Sequence, residues 1–249
     1  MSSHILVVSP HLDDAVLSAA AQLCRGDDEQ VRVVTVCAGV PAADAPPGLW
    51  DVITRAASAA ARVEERLRED DGAMSHFACS TERLGELDGQ HRGEPLDITA
   101  VAEQLIPFLA DASEVWLPSG IGGHLDHRSV RDAGLLAREK SAGGEVPAHL
   151  YADVPYSIPY GWGNVAPDRE TAGSVDVEAW RQWQLGRCGA SDLPLGEPRW
   201  HELDEASGER KLRALNEYAT QTEVLSLDRI LRCDPDSLLR YELSWPLRP

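Results

Sequence analysis

The sequence lacks three features that would place it in other classes of protein: a long apolar segment, an excess of basic charge and paired cysteines. It has no run of about 18 apolar residues, so we expect no transmembrane helix. Its N-terminus, MSSHILVVSP, lacks the basic region and long apolar core of a signal peptide. The five cysteines are scattered without CxxC spacing, which disfavours a cysteine-built zinc site and predicts a reduced, cytoplasmic protein.

The chain is strongly acidic, with a formal net charge of −18 from 41 acidic and 23 basic residues. Such a surface repels nucleic acid phosphates and anionic lipids, so we expect neither nucleic acid nor a membrane as a partner. At 249 residues the chain can bury a large core, and we expect one domain over residues 1–249.

Short apolar runs alternate with amphipathic segments along the chain. Strands are expected at residues 4–10, 30–39, 114–118, 148–155 and 239–247, and helices at 14–25, 56–67, 97–112, 130–137 and 208–225. Pro107 should kink or shorten the helix that contains it. Strands that alternate with helices predict an α/β fold, a mostly parallel sheet with helices on both faces. Residues 155–175 are rich in Pro, Gly and aromatics, which predicts a binding loop or lid.

Two short segments, PHLDD at 10–14 and GGHLDHR at 122–128, each follow a predicted strand and precede a predicted helix. The carboxyl ends of parallel strands lie at the same edge of a sheet, where ligands bind. Six titratable side chains should therefore meet there: His11, Asp13, Asp14, His124, Asp126 and His127.

These side chains suit a catalytic zinc site, in which three N or O ligands hold the ion and leave a position for water. The metal polarises an acyl oxygen and activates the water, while a free carboxylate accepts the proton of the water and another group protonates the leaving amine. The aspartates could instead cap the following helices, but capping does not account for three histidines. A dinucleotide site is disfavoured because no glycine-rich turn follows the first strand.

The two segments resemble the hallmarks of the PIG-L (LmbE-like) family of zinc-dependent N-acetylglucosaminyl deacetylases, a His-x-Asp-Asp loop and a later His-x-Asp-His loop on a Rossmann-like sheet. LDGQHR (87–92), YADVPY (151–156) and KLRALNEYATQ (211–221) are similar to further family segments. The resemblance thus covers most of the chain.

The resemblance implies roles for the residues of both loops. It implies three zinc ligands, His11, Asp14 and His127. Asp13 would be the general base, and His124 would stabilise the oxyanion or protonate the amine. Asp126 would orient a neighbouring histidine. Fe²⁺ or Co²⁺ could replace Zn²⁺ at such a site, because mixed N and O ligands discriminate weakly between these ions.

Substrate recognition should come from other residues at the same edge. By resemblance, Arg68 and Asp88 would hold sugar hydroxyls, although Arg62 and Arg66 share the predicted helix of Arg68. The 155–175 loop offers three aromatic rings that suit the apolar face of a sugar: Tyr156, Tyr160 and Trp162.

The expected activity is removal of an N-acyl group, with acetyl favoured, from an amino sugar or a sugar-containing metabolite. One alternative is an amidase of sugar–thiol conjugates. Another is a non-catalytic metal- or sugar-binding domain, which the presence of Asp13 argues against because coordination does not require it. A phosphoesterase is disfavoured by the lack of a second full ligand set for a two-metal site.

Overall fold

The computed structural model describes residues 3–141, 146–158 and 177–248, and its main feature is a central sheet. The strands are β1 (His4–Ser9), β2 (Val31–Thr35), β3 (Cys79–Arg83), β4 (Ala112–Pro118), β5 (Ala148–Tyr151), β6 (Arg199–Glu202) and β7 (Tyr241–Pro246). Within the described residues they form one sheet in the order β3-β2-β1-β4-β5-β7-β6. Strands β1 to β5 pair in parallel, and β7 pairs antiparallel with β5 and β6. The mostly parallel α/β fold expected from the sequence is confirmed.

Helices connect the strands and cover the sheet. They are α1 (Asp14–Ser18), α2 (Ala20–Cys24), α3 (Leu49–Ile53), α4 (Ala59–Met74), α5 (Ile98–Leu109), α6 (Leu125–Lys140), α7 (Val177–Arg187), α8 (Glu205–Leu215), α9 (Ala219–Thr222), α10 (Leu227–Cys233) and α11 (Asp236–Leu239). From β1 the chain proceeds outward to β2 and β3, and then crosses to β4 and β5 on the other side of β1. Since such crossovers are right-handed, the two directions place helices on opposite faces of the sheet.

Strand β1 lies at the centre of the fold. Its residues Ile5–Val8 are each at most 1% exposed, as expected for a continuous apolar run covered on both faces. The strand order reverses between β1 and β4, and ligands of open α/β sheets bind at such a reversal. The predicted metal loop at 10–14 follows β1, and the one at 122–128 begins in the connection between β4 and α6. The topology therefore places the two loops side by side.

The helix predicted at 14–25 is divided into α1 and α2 by side chains from distant parts of the chain. The backbone N–H of Ala20 donates to the carboxylate of Glu242 at 2.9 Å. The ammonium group of Lys211 donates to the carbonyl of Leu17 at 2.8 Å and pairs with the same carboxylate. Glu242 accepts from a backbone N–H at the start of α2, and Lys211 donates to a backbone carbonyl at the end of α1. The break in the helix therefore leaves neither of these buried backbone groups without a hydrogen-bond partner.

Other element boundaries also differ from those expected. Helix α5 continues past Pro107 to Leu109, and the region predicted as one helix at 208–225 contains α8 and α9. Strands β3 and β6 were not predicted, because they lie at the two edges of the sheet and have few buried residues. No helix of the described residues has the length and apolarity needed to cross a bilayer.

Candidate metal centre and active site

The first loop, residues 10–14, is fixed by the hydroxyl group of Ser9, the last residue of β1. Ser9 Oγ donates to the carbonyl of His11 at 2.6 Å and accepts from the N–H of Ala15 at 3.0 Å. Asp14 Oδ2 accepts from the N–H of His11 at 2.9 Å. These bonds close a tight turn and bring the side chains of His11 and Asp14 together.

The second loop joins β4 to α6 and is shaped by glycine and by a buried aspartate. Gly122 has a φ of +93°, and a Cβ atom there would lie 2.4 Å from Cβ of Tyr156, so a larger residue is excluded. Asp153 Oδ2 accepts from the hydroxyl of Ser119 at 2.5 Å and from the N–H of Ile121 at 2.9 Å. The loop is therefore rigidly attached to the end of β5.

The carboxylate of Asp14 lies next to two buried histidines, His11 of its own loop and His127 of the second loop. Asp14 Oδ2 lies 3.1 Å from His11 Nδ1 and 3.3 Å from His127 Nε2. Ligands about 2.0–2.1 Å from a tetrahedral zinc ion are about 3.3 Å apart, so these separations fit a shared metal. His127 Nε2 is buried and makes no hydrogen bond within the described part of the chain. An unsatisfied imidazole nitrogen beside a carboxylate is what a metal ligand leaves when the ion is removed.

Two combinations of three side chains in the described residues have donor atoms that all lie within 4.8 Å of one another. These are His11 with His124 and His127, and His11 with Cys37 and Asp126. Burial raises the pKa of the Cys37 thiol to about 12, so it is neutral and a poor ligand. Asp14, at 3.1 and 3.3 Å from the nitrogens of two histidines, is a further candidate ligand beside His124.

The ring of His127 is oriented by Asp153. Asp153 Oδ1 lies 2.7 Å from His127 Nδ1, and both side chains are fully buried. Burial lowers the pKa of His127, but the neighbouring carboxylates of Asp14 and Asp153 outweigh it and raise the pKa to about 9. A carboxylate at one ring nitrogen fixes the tautomer and makes the other nitrogen a stronger ligand. Metal binding must then displace a proton from His127.

Asp126 orients the ring of His11 from the opposite side. Its Oδ2 atom lies 3.1 Å from His11 Nε2 and accepts from the N–H of Gly89 at 2.9 Å, while Oδ1 pairs with Arg92. Burial opposes ionisation, but the hydrogen bond from His11 and the charge of Arg92 hold the pKa of Asp126 well below its usual range. Both oxygens of this carboxylate are therefore engaged by neighbouring groups.

Asp13 is buried, lines the same cavity as His11 and Asp14, and does not cap the helix that follows it. It occupies the N-cap position of α1, yet its side chain makes no capping hydrogen bond, which excludes the capping role considered from the sequence. Its Oδ1 atom lies 3.6 Å from the guanidinium of Arg66. Burial and the charge of Asp14 raise the pKa of Asp13 against the opposing effect of Arg66. A carboxylate with a raised pKa is suited to accept a proton.

The ring of His124 lies close to the rings of His11 and His127. Its ring centroid lies 5.0 Å from that of His11 and 4.9 Å from that of His127. Burial, followed by the charges of these two histidines, lowers the pKa of His124 to about 4. Its Nδ1 atom is buried and has no hydrogen-bond partner among the described residues. The ring is therefore a neutral group with unused hydrogen-bonding capacity.

His11, Asp13, Asp14 and His124 line one cavity of about 600 Å³. Its wall includes Arg66, whose guanidinium pairs with Asp88 at 3.2 Å, and Asp88 in turn accepts from the N–H of Gln90 at 3.1 Å. A carboxylate, a guanidinium and an amide in a row provide directional hydrogen bonds to a hydroxylated ligand.

Residues 6–137, more than half of the chain, match the family model described as PIG-L: GlcNAc-PI de-N-acetylase. The chain belongs to the PIG-L family. Among solved structures, it is 27% identical to the A40926 pseudoaglycone deacetylase Dbv21, with a TM-score of 0.72 over 100% of this chain and 98% of that one. It is 24% identical to the zinc-inhibited form of the teicoplanin deacetylase Orf2, with a TM-score of 0.74 over 99% and 98% of the two chains. No curated protein matches its sequence.

In this PIG-L protein the two sequence motifs meet as expected, but the substrate-side residues are placed differently. Arg68 is exposed on α4 and does not line the cavity, whereas Arg62 and Arg66 of the same helix do, as does Asp88. Tyr156 lines the cavity, while Tyr160 and Trp162 lie outside the described residues. The sequence analysis did not single out Asp153, which lies just after β5 and contacts His127.

Proposed function

We propose that this chain is a zinc-dependent de-N-acetylase that hydrolyses the acetamido group of an N-acetylated amino sugar. The observation that carries the proposal is the position of Asp13 in one cavity with His11 and Asp14, whose carboxylate also lies 3.3 Å from His127 Nε2. Family membership supports the reaction, and the deacetylase Dbv21, 27% identical over the whole chain, supports a sugar-bearing substrate.

The proposed ligands are His11, Asp14 and His127, a set of two nitrogens and one oxygen that fits zinc and leaves a position for water. A bound zinc ion polarises the acyl oxygen and lowers the pKa of a water molecule toward about 7. Fe²⁺ and Co²⁺ are accepted by the same donor types. Asp153 and Asp126 hold the two histidine rings in the orientations that binding requires.

Asp13 acts as the general base in this proposal. Its carboxylate accepts a proton from the attacking water and later returns it to the nitrogen of the departing amine. The raised pKa caused by burial and Asp14 makes the carboxylate a stronger base, while the positive charge of Arg66 opposes this rise.

His124 stabilises the developing negative charge on the acyl oxygen. Of the two roles that the family resemblance leaves open, oxyanion stabilisation is favoured because a pKa near 4 keeps the ring neutral at neutral pH. A neutral imidazole still donates one N–H, and a donor preorganised in a partly buried site is effective there. Arg66 and Asp88 bind the sugar hydroxyls, and Tyr156 contributes a ring beside His124, with centroids 5.9 Å apart.

The sheet includes β1 and β7 from opposite ends of the chain, which supports placing this activity in one domain of residues 1–249. All five cysteines are free, which supports a reducing compartment such as the cytoplasm.

The test is Asp13→Asn, assayed with zinc-loaded protein for release of free amine from N-acetylglucosamine and its glycosides. We expect a loss of about 100-fold or more in kcat with unchanged zinc content, the scale of a positioned proton-transfer group. His11→Ala should lose zinc as well as activity. Binding of sugar by zinc-loaded wild type without any amine release would instead support the non-catalytic alternative, and wild-type turnover in Asp13→Asn would remove Asp13 from the mechanism.

A further inference from the structure

The hydroxyl group of Tyr218, just after α8, lies between two hydrogen-bond acceptors. It is 2.9 Å from the carbonyl oxygen of Leu12 in the first loop and 2.9 Å from Oδ1 of Asp70 on α4. All three residues are buried, and Tyr218 and Asp70 are each 1% exposed. A phenol carries one proton to donate, whereas a backbone carbonyl and an ionised carboxylate only accept. The two acceptors therefore compete for a single proton.

The competition ends when Asp70 itself binds a proton. Arg83 of β3 occupies one oxygen of the carboxylate, since it donates to Asp70 Oδ2 from Nη2 at 2.6 Å and from Nε at 3.2 Å. A proton on this carboxyl group therefore belongs on Oδ1, from which it can be donated to the oxygen of Tyr218. The hydroxyl then donates its own proton to the carbonyl of Leu12, and all three groups are hydrogen-bonded in one chain.

An ionised Asp70 has the opposite effect on the first loop. A hydrogen bond to a charged acceptor is stronger than one to a neutral carbonyl, so the hydroxyl of Tyr218 donates preferentially to the carboxylate. The bond to the carbonyl of Leu12 is weakened, and a buried carbonyl without a full hydrogen bond destabilises the backbone that carries it. Because Leu12 lies between His11 and Asp13, this cost falls on the loop of the proposed metal site and base.

The surroundings of Asp70 allow both protonation states to be populated near pH 6. Burial raises the pKa of Asp70 from 3.8 to about 6 and the charge of Asp13 adds to this rise, against the opposing effects of Arg83 and Tyr218. The hydroxyl stays protonated, because burial and the charge of Asp70 raise the pKa of Tyr218 well above its usual range. The other charged or titratable side chains around this pair are Arg66 and Asp71 of α4 and Cys79 of β3.

We infer that Asp70 is a positioning residue of the first loop, whose proton determines how firmly Tyr218 holds the carbonyl of Leu12. Within the described part of the chain, Asp70 forms no hydrogen bond or ion pair with any proposed metal ligand, so this effect reaches the loop through Tyr218. The loop is held firmly when Asp70 is protonated and less firmly when it is ionised. The inference rests on the proposed function only in taking His11 and Asp14 of the same loop as zinc ligands.

The test is Asp70→Asn, which copies the protonated carboxyl group at every pH. The amide oxygen can accept from Arg83 while the amide N–H donates to Tyr218, so the hydroxyl is always free to donate to Leu12. We expect wild type and variant to bind zinc with nearly equal affinity at pH 5. At pH 8 the variant should bind on the order of fivefold more tightly, the scale of one weakened hydrogen bond. Chelator competition measures both affinities.

The sign of this change separates the inference from a simple effect of charge. Removing a negative charge near the site would by itself weaken the binding of a cation, whereas the inference expects tighter binding. Asp71→Asn is the matched control, because Asp71 also pairs with Arg83 but has a side chain that is 65% exposed. It should leave the zinc affinity near wild type at both pH values.

Tyr218→Phe determines whether the hydroxyl transmits the effect. Without the hydroxyl, Asp70→Asn should no longer increase zinc affinity at pH 8, so the double variant should bind zinc as Tyr218→Phe does. A gain that persists in the Tyr218→Phe background would assign the effect to charge or packing and would overturn the inference. Equal or weaker zinc binding by Asp70→Asn at pH 8, relative to wild type, would overturn it as well.

Hydrogen exchange of the metal-free protein tests the same inference without zinc or turnover. In wild type, the protection of amides at 10–15, corrected for the intrinsic effect of pH, should fall as the pH rises through about 6. The fall should be absent in Tyr218→Phe and retained in Asp71→Asn, and neither measurement requires Asp70→Asn to fold. Constant protection in wild type would reject the role of Asp70. If wild type releases no amine from N-acetylated sugars, the deacetylase proposal fails while this measurement still decides the inference.

Discussion

The hydroxyl group of Tyr218 lies 2.9 Å from the carbonyl oxygen of Leu12, the residue between His11 and Asp13. The same hydroxyl lies 2.9 Å from Oδ1 of Asp70, and Tyr218 is 1% exposed. A residue that follows α8, more than 200 positions later in the chain, thus holds the backbone of the first metal loop. The loop is positioned by this contact as well as by the hydroxyl at the end of β1 that closes its turn.

Tyr218→Phe should therefore impair the site as well as stability. The change keeps the ring but removes the hydroxyl, leaving the Leu12 carbonyl buried without this partner, which costs about 1–3 kcal/mol in unfolding free energy. We expect weaker zinc binding and a several-fold lower kcat, measured by chelator competition and amine release. Tyr151→Phe is the matched control, because Tyr151 donates to the carbonyl of Val8 at 2.8 Å within the sheet. It should lose similar stability but keep zinc affinity, and an equal loss of affinity in both variants would contradict the positioning role.

Asp153→Asn should weaken metal binding without removing a ligand. The amide is a poorer acceptor for the N–H of His127, so the imidazole is less firmly oriented and less basic at its other nitrogen. Loss of such a partner typically lowers metal affinity by about 10–100-fold. Zinc affinity measured against a chromogenic chelator checks this. Asp97→Asn is the control, since Asp97 caps α5 and asparagine caps equally well. Unchanged zinc affinity in Asp153→Asn would show that Asp153 has only a structural role in the loop of Ser119 and Ile121.

The sequence was sufficient to predict the position of the metal loops because a strand end and a cluster of His and Asp are both local features. The edge at which the loops meet then follows from the topology of parallel sheets. Asp153 could not be assigned in this way, because a single aspartate after a strand is common and its role depends on contact with His127.

Long-range contacts explain the other differences. The break between α1 and α2 depends on Glu242 and Lys211, which are more than 180 residues away from it in sequence. Strands β3 and β6 escaped prediction because edge strands need not bury an apolar face. On α4, the choice between Arg66 and Arg68 depends on the rotation of the helix, and two residues correspond to about 200° around its axis.

The stability of the protein should fall in acid partly because of Glu114. Its carboxylate lies 3.4 Å from His149 Nε2 and pairs with Arg25. The hydrogen bond with His149 is the main cause that lowers the pKa of Glu114 from its ordinary 4.5 to about 2. Because the folded-state pKa is the lower one, this stabilisation is fully present above about pH 4.5 and is lost as the pH falls toward 2.

Glu114→Gln should accordingly lower the unfolding free energy at pH 7 by on the order of 1 kcal/mol, a value reduced by partial exposure to solvent, and the difference from wild type should vanish near pH 2. Urea unfolding of wild type and variant between pH 2 and pH 7 measures the difference in unfolding free energy at each pH. Glu209→Gln is the control, since Glu209 is 65% exposed and lies 3.7 Å from Arg213, and it should change stability little at any pH. A constant difference across the pH range would assign the effect to packing and not to ionisation.

The two arginines of α4 provide a direct test of how the sugar is held. Arg66 is buried between Asp13 and Asp88, whereas Arg68 is exposed two residues along the same helix. Arg66→Gln removes hydrogen bonds to the sugar and the positive charge that lowers the pKa of Asp13, so we expect KM to rise about tenfold or more and kcat to fall. Compared with Arg66→Gln, Arg66→Lys should restore part of kcat because lysine carries the same positive charge. It should restore little of the substrate affinity, because lysine lacks the fork of hydrogen-bond donors of a guanidinium group. Arg68→Gln should leave both constants and the zinc content near wild type. A raised KM in Arg68→Gln with normal kinetics in Arg66→Gln would place the sugar on the other side of α4 and would overturn the proposal that Arg66 and Asp88 bind its hydroxyls.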